Sequence, residues 1–331
     1  MSATSVGFDA LNAVLKAAGE ETRLRILALL AEAELTVSDL TEILHQSQPR
    51  ISRHLKLLVE AGLLLRFREG AWAFFRLSDQ GAAVEIARSL VSRLDPADET
   101  IARDRDRLAG IRARRAAAAQ SYFTQHAAEW DRIRRLHVSD EAVEAAVAAA
   151  LADRPFRSLL DLGTGTGRML ELFGPQLERG VGIDLSLDML ALARARLDRA
   201  GLKQCSVRQG DIYDLKLPPN SFDVVIVHQV LHYLDDGARA LREAARVLRP
   251  QGRLLVVDFA PHDLEFLRDE HAHLRLGFPA EVVSQWLEQS GLEMVSYRTL
   301  PPEHGSDGQI AVSLWLACDP RLLLAGESAS A

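Results

Sequence analysis

Apolar positions follow three rhythms along the chain. From Glu20 to Leu30 they fall at Leu24, Ile26, Leu27 and Leu30, and from Thr36 to His45 at Val37, Leu40, Ile43 and Leu44, each set marking one face of a helix. Gln46-Ser47-Gln48 makes a short turn, and Pro49 opens a third helix where a missing amide costs little. On this helix Ile51, Leu55 and Leu58 stand at i, i+4 and i+7, so they bury together and leave Arg50, Ser52, Arg53 and Lys56 facing outward. Gly62 ends the helix, and Leu63 to Arg68 pairs with Ala71 to Leu77 across a Glu69-Gly70 turn. Helix, turn, helix and wing-like hairpin is the order of a DNA-reading module.

The second rhythm is long and helical. Residues 98 to 151 are dominated by Ala, Arg, Asp and Glu and predict one or two long helices. In the third, residues 158 to 317, apolar runs alternate with helical patterns, which implies crossover units on a mostly parallel, doubly wound α/β sheet. The expected organisation is multidomain: an α-rich helix-turn-helix domain over 1–95, a helical linker over 96–151, an α/β domain over 152–318 and a tail over 319–331.

Composition changes this picture only locally. With 331 residues, 48% hydrophobic and 26% charged, the chain is an ordinary globular one, long enough for two domains. The formal charge of −7 argues against a chain that is basic all over. Between His45 and Arg76, however, six basic residues (Arg50, Arg53, Lys56, Arg66, Arg68, Arg76) face two acidic ones, Glu60 and Glu69. Residues 158 to 331 hold 17 basic against 24 acidic side chains, so the acidic excess belongs to the C-terminal half. Phosphate neutralisation needs only a local patch, and Gln48, Arg50, Ser52, Arg53, Lys56 and Arg68 are the candidate DNA-binding residues. A charged helix face can also be merely solvated; the wing beside it favours the DNA reading. No apolar run reaches the length of a membrane span and the N-terminus lacks the basic start of a signal peptide, so a cytoplasmic location without membrane contact is expected.

Glu21-Thr22-Arg23-Leu24-Arg25-Ile26-Leu27, Ser52-Arg53-His54-Leu55-Lys56-Leu57-Leu58 and Ala61-Gly62-Leu63 resemble the winged helix of ArsR-type transcriptional regulators. The resemblance implies a homodimer on a double-stranded DNA operator, with residues 8 to 18 and 82 to 94 as dimer helices. Metal-sensing members carry E-L-C-V-C-D-L, whereas this chain reads Glu34-Leu35-Thr36-Val37-Ser38-Asp39-Leu40. Hydroxyls are poor ligands for soft metals, so no metal is expected.

In the C-terminal region the strand Ser158 to Leu162 contains Asp161 and runs into Gly163-Thr164-Gly165-Thr166-Gly167; glycines at such a turn let a ligand approach the backbone. The strand Val181 to Asp184 then ends on an acid that can accept from both ribose hydroxyls. Arg168 occupies the place where a dinucleotide fingerprint has its last glycine. With Asp211-Ile212 after Val207 to Gly210 and the strand Phe222 to Val227, the set resembles class I S-adenosylmethionine-dependent methyltransferases, of the type that includes the ubiquinone and menaquinone C-methyltransferases.

That resemblance implies a Rossmann-like domain binding S-adenosyl-L-methionine or S-adenosylhomocysteine. Asp161, Gly163 and Gly165 would serve the methionyl part, Asp184 the ribose, Met189, Asp211 and Ile212 the adenine, and His228 the neighbourhood of the sulfonium, with Gly167 and Leu185 as further cofactor-binding residues. Asp161 as a helix-cap partner and Met189 as ordinary core are the alternatives. His228 and His232 are the candidate catalytic bases for a small-molecule acceptor, or hydrogen-bonded wall residues. Tyr122, Trp130, Tyr233 and His271 are candidates for the acceptor pocket, with the aromatic segment before the first strand as a lid or as a stripe holding the linker. Only Cys205 and Cys318 are present, too few for the thiolates of arsenite methyltransferases. Three functions remain open: a regulator that also methylates a small molecule, a regulator that only senses S-adenosylmethionine or its demethylated product, and a methyltransferase using the winged helix to dimerise.

Overall fold

A computed structural model describes residues 7–78, 82–127, 140–301 and 310–322. The chain divides into two compact units, Met1–Ala116 and Ala117–Ala331. The division falls inside the segment 96–151 expected to be a linker.

In the first unit, α1 (Phe8–Ala18), α2 (Glu21–Glu32), α3 (Val37–Leu44) and α4 (Gln48–Glu60) precede a hairpin of β2 (Leu64–Glu69) and β3 (Trp72–Leu77), then α5 (Ala82–Val91). The apolar faces anticipated on the helices meet in one core, with Ile26, Leu27, Leu40, Ile43, Ile51, Leu55 and Leu58 buried together. α3 begins with a capping box in which the Thr36 hydroxyl accepts from the Asp39 amide and the Asp39 carboxylate accepts from the Thr36 amide. The position at which metal sensors place a thiolate is used here to start a helix. Two details differ from the sequence reading. The hairpin pairs Glu69 with Trp72, so its two-residue turn is Gly70-Ala71, with Gly70 at φ 57°, rather than Glu69-Gly70. A further two-residue strand, β1 (Leu35–Thr36), pairs antiparallel with β3; it is too short for any hydrophobic period to announce it.

The long helix α6 spans Glu99–His126. Its first half belongs to the first unit through a row of charges. Asp104, only 3% exposed, accepts from Nε and Nη2 of Arg25 at 2.7 and 2.8 Å. Arg107 donates to the Ile43 carbonyl in the last turn of α3 at 2.8 Å, and Arg112 to the Glu32 carbonyl at the end of α2 at 2.8 Å, satisfying acceptors that helix ends leave open. Arg115 reaches Asp39 at 2.8 Å.

The second unit contains α7 (Asp140–Ala150), β4 (Ser158–Leu162), α8 (Arg168–Phe173), β5 (Arg179–Asp184), α9 (Leu187–Arg199), β6 (Cys205–Gln209), β7 (Phe222–His228), α10 (Gly237–Val247), β8 (Leu248–Phe259), α11 (Phe266–His271), α12 (Ala280–Gln289), β9 (Glu293–Leu300) and β10 (Val312–Cys318). The seven strands are ordered β6-β5-β4-β7-β8-β10-β9; β6, β5, β4, β7 and β8 pair in parallel, and β10 is antiparallel to both neighbours. Alternate residues serve opposite faces: Leu159, Val224, Ile226, Leu255 and Val257 enter one core and Leu160, Leu162, Val225, Val227, Leu254 and Val256 the other. Burial on both faces is why these strands read as continuous apolar runs. From β4 the chain goes outward through β5 and β6, then returns to β7 on the other side of β4. Ligand sites in such sheets lie at the carboxyl ends of the strands beside that reversal.

Candidate functional site

On the first unit, Gln48, Arg50, Ser52, Arg53 and Lys56 are all exposed on α4, opposite the buried Ile51, Leu55 and Leu58, and Arg66 and Arg68 are exposed on the hairpin. Two of the six basic residues counted in this stretch face acids: Arg76 lies 3.8 Å from Glu34, and Lys56 lies 3.8 Å from Glu60 one turn along. Arg50, Arg53, Arg66 and Arg68 therefore carry the local positive field. His54 is turned inward, 3.6 Å from Glu20, with burial pulling its imidazole below the usual histidine range. The hairpin is stiffened by Phe67 stacked on Phe74 at 5.7 Å.

On the second unit, the loop after β4 is built by backbone conformations that side chains resist. Gly163, Gly165 and Gly167 have φ of 69°, 50° and 82°. A Cβ on Gly163 would stand 2.3 Å from Cγ2 of Val230, so the loops after β4 and β7 touch and leave no room for a methyl group. The amides of Gly163 and Thr164 donate to the Ile183 carbonyl on β5 at 2.8 and 3.0 Å. Asp161, 2% exposed, accepts from the Thr164 hydroxyl at 2.6 Å, which pins the turn from inside.

Asp184 ends β5. Its Oδ2 accepts the Gly165 amide at 2.8 Å and its Oδ1 the Ser186 amide at 2.9 Å. An ionised carboxylate has about four acceptor positions, more than the backbone amides around it fill. Burial pushes the Asp184 carboxyl up, and the amides of Ser186, Gly165 and Leu185 oppose that shift. The Gly210 amide donates to the Asp184 carbonyl at 3.1 Å and so brings the end of β6 alongside. There Asp211 is exposed, with Oδ1 on the Tyr213 amide at 2.8 Å, and Ile212 is buried. Leu185 is 46% exposed, whereas Met189 is 2% exposed, its amide serving the Ser186 cap of α9 at 3.3 Å. Arg168 is locked between Glu144, at 2.7 and 2.6 Å, and Glu171, at 2.6 Å. A guanidinium so engaged, at a helix of six residues, offers nothing to a pyrophosphate.

After β7 comes a second cluster. His228, half-buried, ends the strand opposite Val257 of β8. Gln229 follows at φ 54°, and Leu231–Tyr233 form a single 3-10 turn. His232 is 2% exposed, and its Nδ1 lies 2.8 Å from Oδ1 of Asp258, a fully buried residue near the end of β8. The His232 ring packs against Tyr233 at 4.1 Å, His273 at 4.3 Å and Phe259 at 4.8 Å. Phe123 meets Tyr233 edge-on at 4.8 Å, and the Tyr122 hydroxyl lies 2.6 Å from Nδ1 of His271. Burial pushes Tyr122 up to about 12 and Tyr233 well above 10, so both phenols remain donors at neutral pH.

Of the acceptor-pocket residues named from sequence, Tyr122, Tyr233 and His271 are thus gathered around His232; Trp130 lies outside the described residues. His271 and His273 do not sit on opposite faces of one helix, because α11 stops at His271 and Ala272 takes φ 55°; their rings are 6.4 Å apart. Sequence reasoning missed Asp258. The signal available was an acid closing the apolar run Leu254 to Val257, the same strand-end placement that marks Asp161 and Asp184.

Residues 20–64 match the bacterial regulatory protein arsR family, and residues 160–256 match the methyltransferase domain family Methyltransf_11. The arsenical resistance operon repressor of Escherichia coli is 54% identical over 66 residues, 20% of this chain and 56% of the repressor. The demethylmenaquinone methyltransferase of Deinococcus radiodurans is 40% identical over 152 residues, 44% of this chain and 61% of that enzyme. A solved chain from the complex of the Haloferax volcanii Trm112 methyltransferase activator with its methyltransferase matches 62% of this chain and 99% of its own length, at TM-score 0.51 and 23% identity, and speaks for the fold alone. The chain spans less than two thirds of the length of the curated relatives it matches. The protein joins an ArsR-family helix-turn-helix domain to a class I methyltransferase domain.

Proposed function

We propose that this chain is a DNA-binding transcriptional regulator whose second unit binds S-adenosyl-L-methionine and methylates a small molecule. The observation that carries the second half is the Asp184 carboxylate, held by the amides of Gly165 and Ser186 beside three glycines at positive φ, of which Gly163 has no room for a Cβ. This arrangement suits a nucleoside carrying a short charged tail: sugar hydroxyls can use the acceptor capacity that the amides leave on Asp184, and the glycine backbone can be approached closely. Asp161, Gly163, Gly165 and Gly167 would hold the methionyl part, Asp211 and the Ile212 amide the adenine edge, and Leu185 the open apolar face beside it. Bound S-adenosylmethionine supplies an already activated methyl group. The chain's own task is to align the acceptor and exclude water.

The first half rests on Arg50, Arg53, Arg66 and Arg68, exposed on α4 and its hairpin. The proposed partner is a double-stranded operator, bound by a homodimer through α1 and α5, and a cytoplasmic location goes with that reading. Equilibrium dialysis of the full chain with labelled S-adenosylmethionine tests the cofactor reading. One molecule retained per chain and displaced by S-adenosylhomocysteine is expected; no retention refutes it.

A further inference from the structure

We propose that His232 and Asp258 form the proton-removing pair of the C-terminal site, and that the acceptor they serve is a weakly acidic hydroxyl on a planar, phenol-like or enolic molecule. This rests on the methyl-transfer reading above.

Asp258 Oδ1 takes both the Phe259 amide and Nδ1 of His232, each at 2.8 Å. With the proton held on Nδ1, the Nε2 lone pair is the basic end of the ring. The ring cannot swing. Tyr233, His273 and Phe259 pack on it, and the His232 carbonyl accepts the amides of Leu274 and Arg275 at 2.9 and 3.0 Å. Asp258 Oδ2 is buried with no hydrogen-bond partner among the described residues. A carboxylate kept only to brace a turn would satisfy both oxygens, and an apolar pair of similar size would brace it at lower desolvation cost. A carboxylate beside an imidazole that gains and loses charge has a different use, because it stabilises the imidazolium when it forms.

Chemistry then narrows the acceptor. A neutral amine attacks with its lone pair and sheds its proton afterwards, and a thiol near neutral pH is partly ionised already. A hydroxyl must lose its proton as it attacks, so it is the nucleophile that needs a positioned base. Tyr122 and Tyr233, held protonated by burial, do not compete for that role. The surrounding wall is aromatic, with Phe123, Tyr122 and His271 extending the stack that begins at His232. In the step, His232 Nε2 takes the hydroxyl proton while the oxygen's electron pair forms the new bond to the methyl carbon. The methyl-to-sulfur pair leaves with sulfur, and the imidazolium returns its proton to solvent. Asp258 touches no reacting atom and acts through His232 as a positioning residue.

The test uses the full chain, methyl-labelled S-adenosylmethionine and a series from phenol to 4-nitrophenol, with aniline and thiophenol beside it. Label on phenol oxygen is expected. His232→Ala should cut the phenol rate about 10²- to 10⁴-fold, with the deficit shrinking toward 4-nitrophenol, whose proton is already largely gone. Asp258→Asn should lower kcat about 10-fold or more with KM for the phenol unchanged, since the Phe259 amide keeps an oxygen facing Nδ1. Nitrogen-15 spectra of wild-type His232 should show the proton on Nδ1. Calorimetry with S-adenosylhomocysteine reports the cofactor reading and the fold of each variant separately. If the wild-type protein binds it but labels only aniline or thiophenol, or nothing, or if His232→Ala loses the same factor across the phenol series, the pair is not the base. If the wild-type protein fails to bind it, the methyl-transfer reading itself has failed.

Discussion

The two units keep their functional groups in opposite places. On α4 the residues facing DNA are the ones the core rejects: Ile51, Leu55 and Leu58 are buried and Arg50, Ser52, Arg53 and Lys56 are outside. In the second unit the residues that define the site are inside: Asp161, His232 and Asp258 are 2%, 2% and 0% exposed, and the glycines around them occupy conformations that side chains avoid. A surface reader can therefore lose function while keeping its fold. A site made of buried acids and left-handed turns ties function to stability. The buried charge pair of Arg25 with Asp104 in the first unit belongs to its scaffold and not to its DNA face.

Four substitutions probe that contrast. Arg25→Ala takes the bidentate guanidinium from the buried Asp104 carboxylate and leaves it Arg107 at 3.8 Å, and should cost about 3 kcal/mol in the first unit; chemical denaturation followed by the Trp72 signal of the hairpin reads it. A loss below 1 kcal/mol would mean that water reaches Asp104. Gly163→Ala puts a methyl group into Val230 at a φ of 69°, and about 2 to 4 kcal/mol of stability should go together with S-adenosylhomocysteine binding. Binding lost with no change in melting temperature would separate site from fold in the second unit. Arg50→Ala with Arg53→Ala should do the reverse, weakening operator binding and, with two arginines lost from each protomer of the dimer, lowering its salt slope by about 4 while the melting temperature stays put. Retention on DNA at unchanged salt dependence would remove α4 from the interface.

The smallest effect concerns pH. Burial alone would push Asp223 up, but the amides of Arg157 and Ser158 and the Arg249 guanidinium hold its carboxyl below the usual range. Its contribution to stability is present above the ordinary aspartate pKa and is lost as pH falls through its lowered folded value. Because Arg249 is half-exposed, Asp223→Ala should cost only about 1 kcal/mol at neutral pH, with the difference from wild type vanishing in acid. A gap that persists in acid would assign the cost to packing.

Legibility followed the same division. The i, i+4, i+7 spacing of Ile51, Leu55 and Leu58 names the outer face of α4 without any knowledge of the fold, because one helix decides both sides. Strand-end acids such as Asp161 and Asp184 were readable because a parallel sheet puts the ends of its strands on one side. What the sequence could not show are partnerships that only tertiary packing creates. Asp258 meets His232 from 26 residues away, Tyr122 meets His271 from 149 away, and Arg25 meets Asp104 from 79 away. Local periodicity has no term for such pairs. The two-residue strand Leu35–Thr36 was hidden for another reason, since it is recruited by β3 and has no pattern of its own.

The most direct measurement is a calorimetric titration of S-adenosylhomocysteine into the wild-type protein, the Arg50→Ala/Arg53→Ala protein and Asp184→Ala. One site per chain is expected, with the same affinity in the first two proteins and no measurable binding in the third. Equal binding by all three, or none by the wild type, would contradict it.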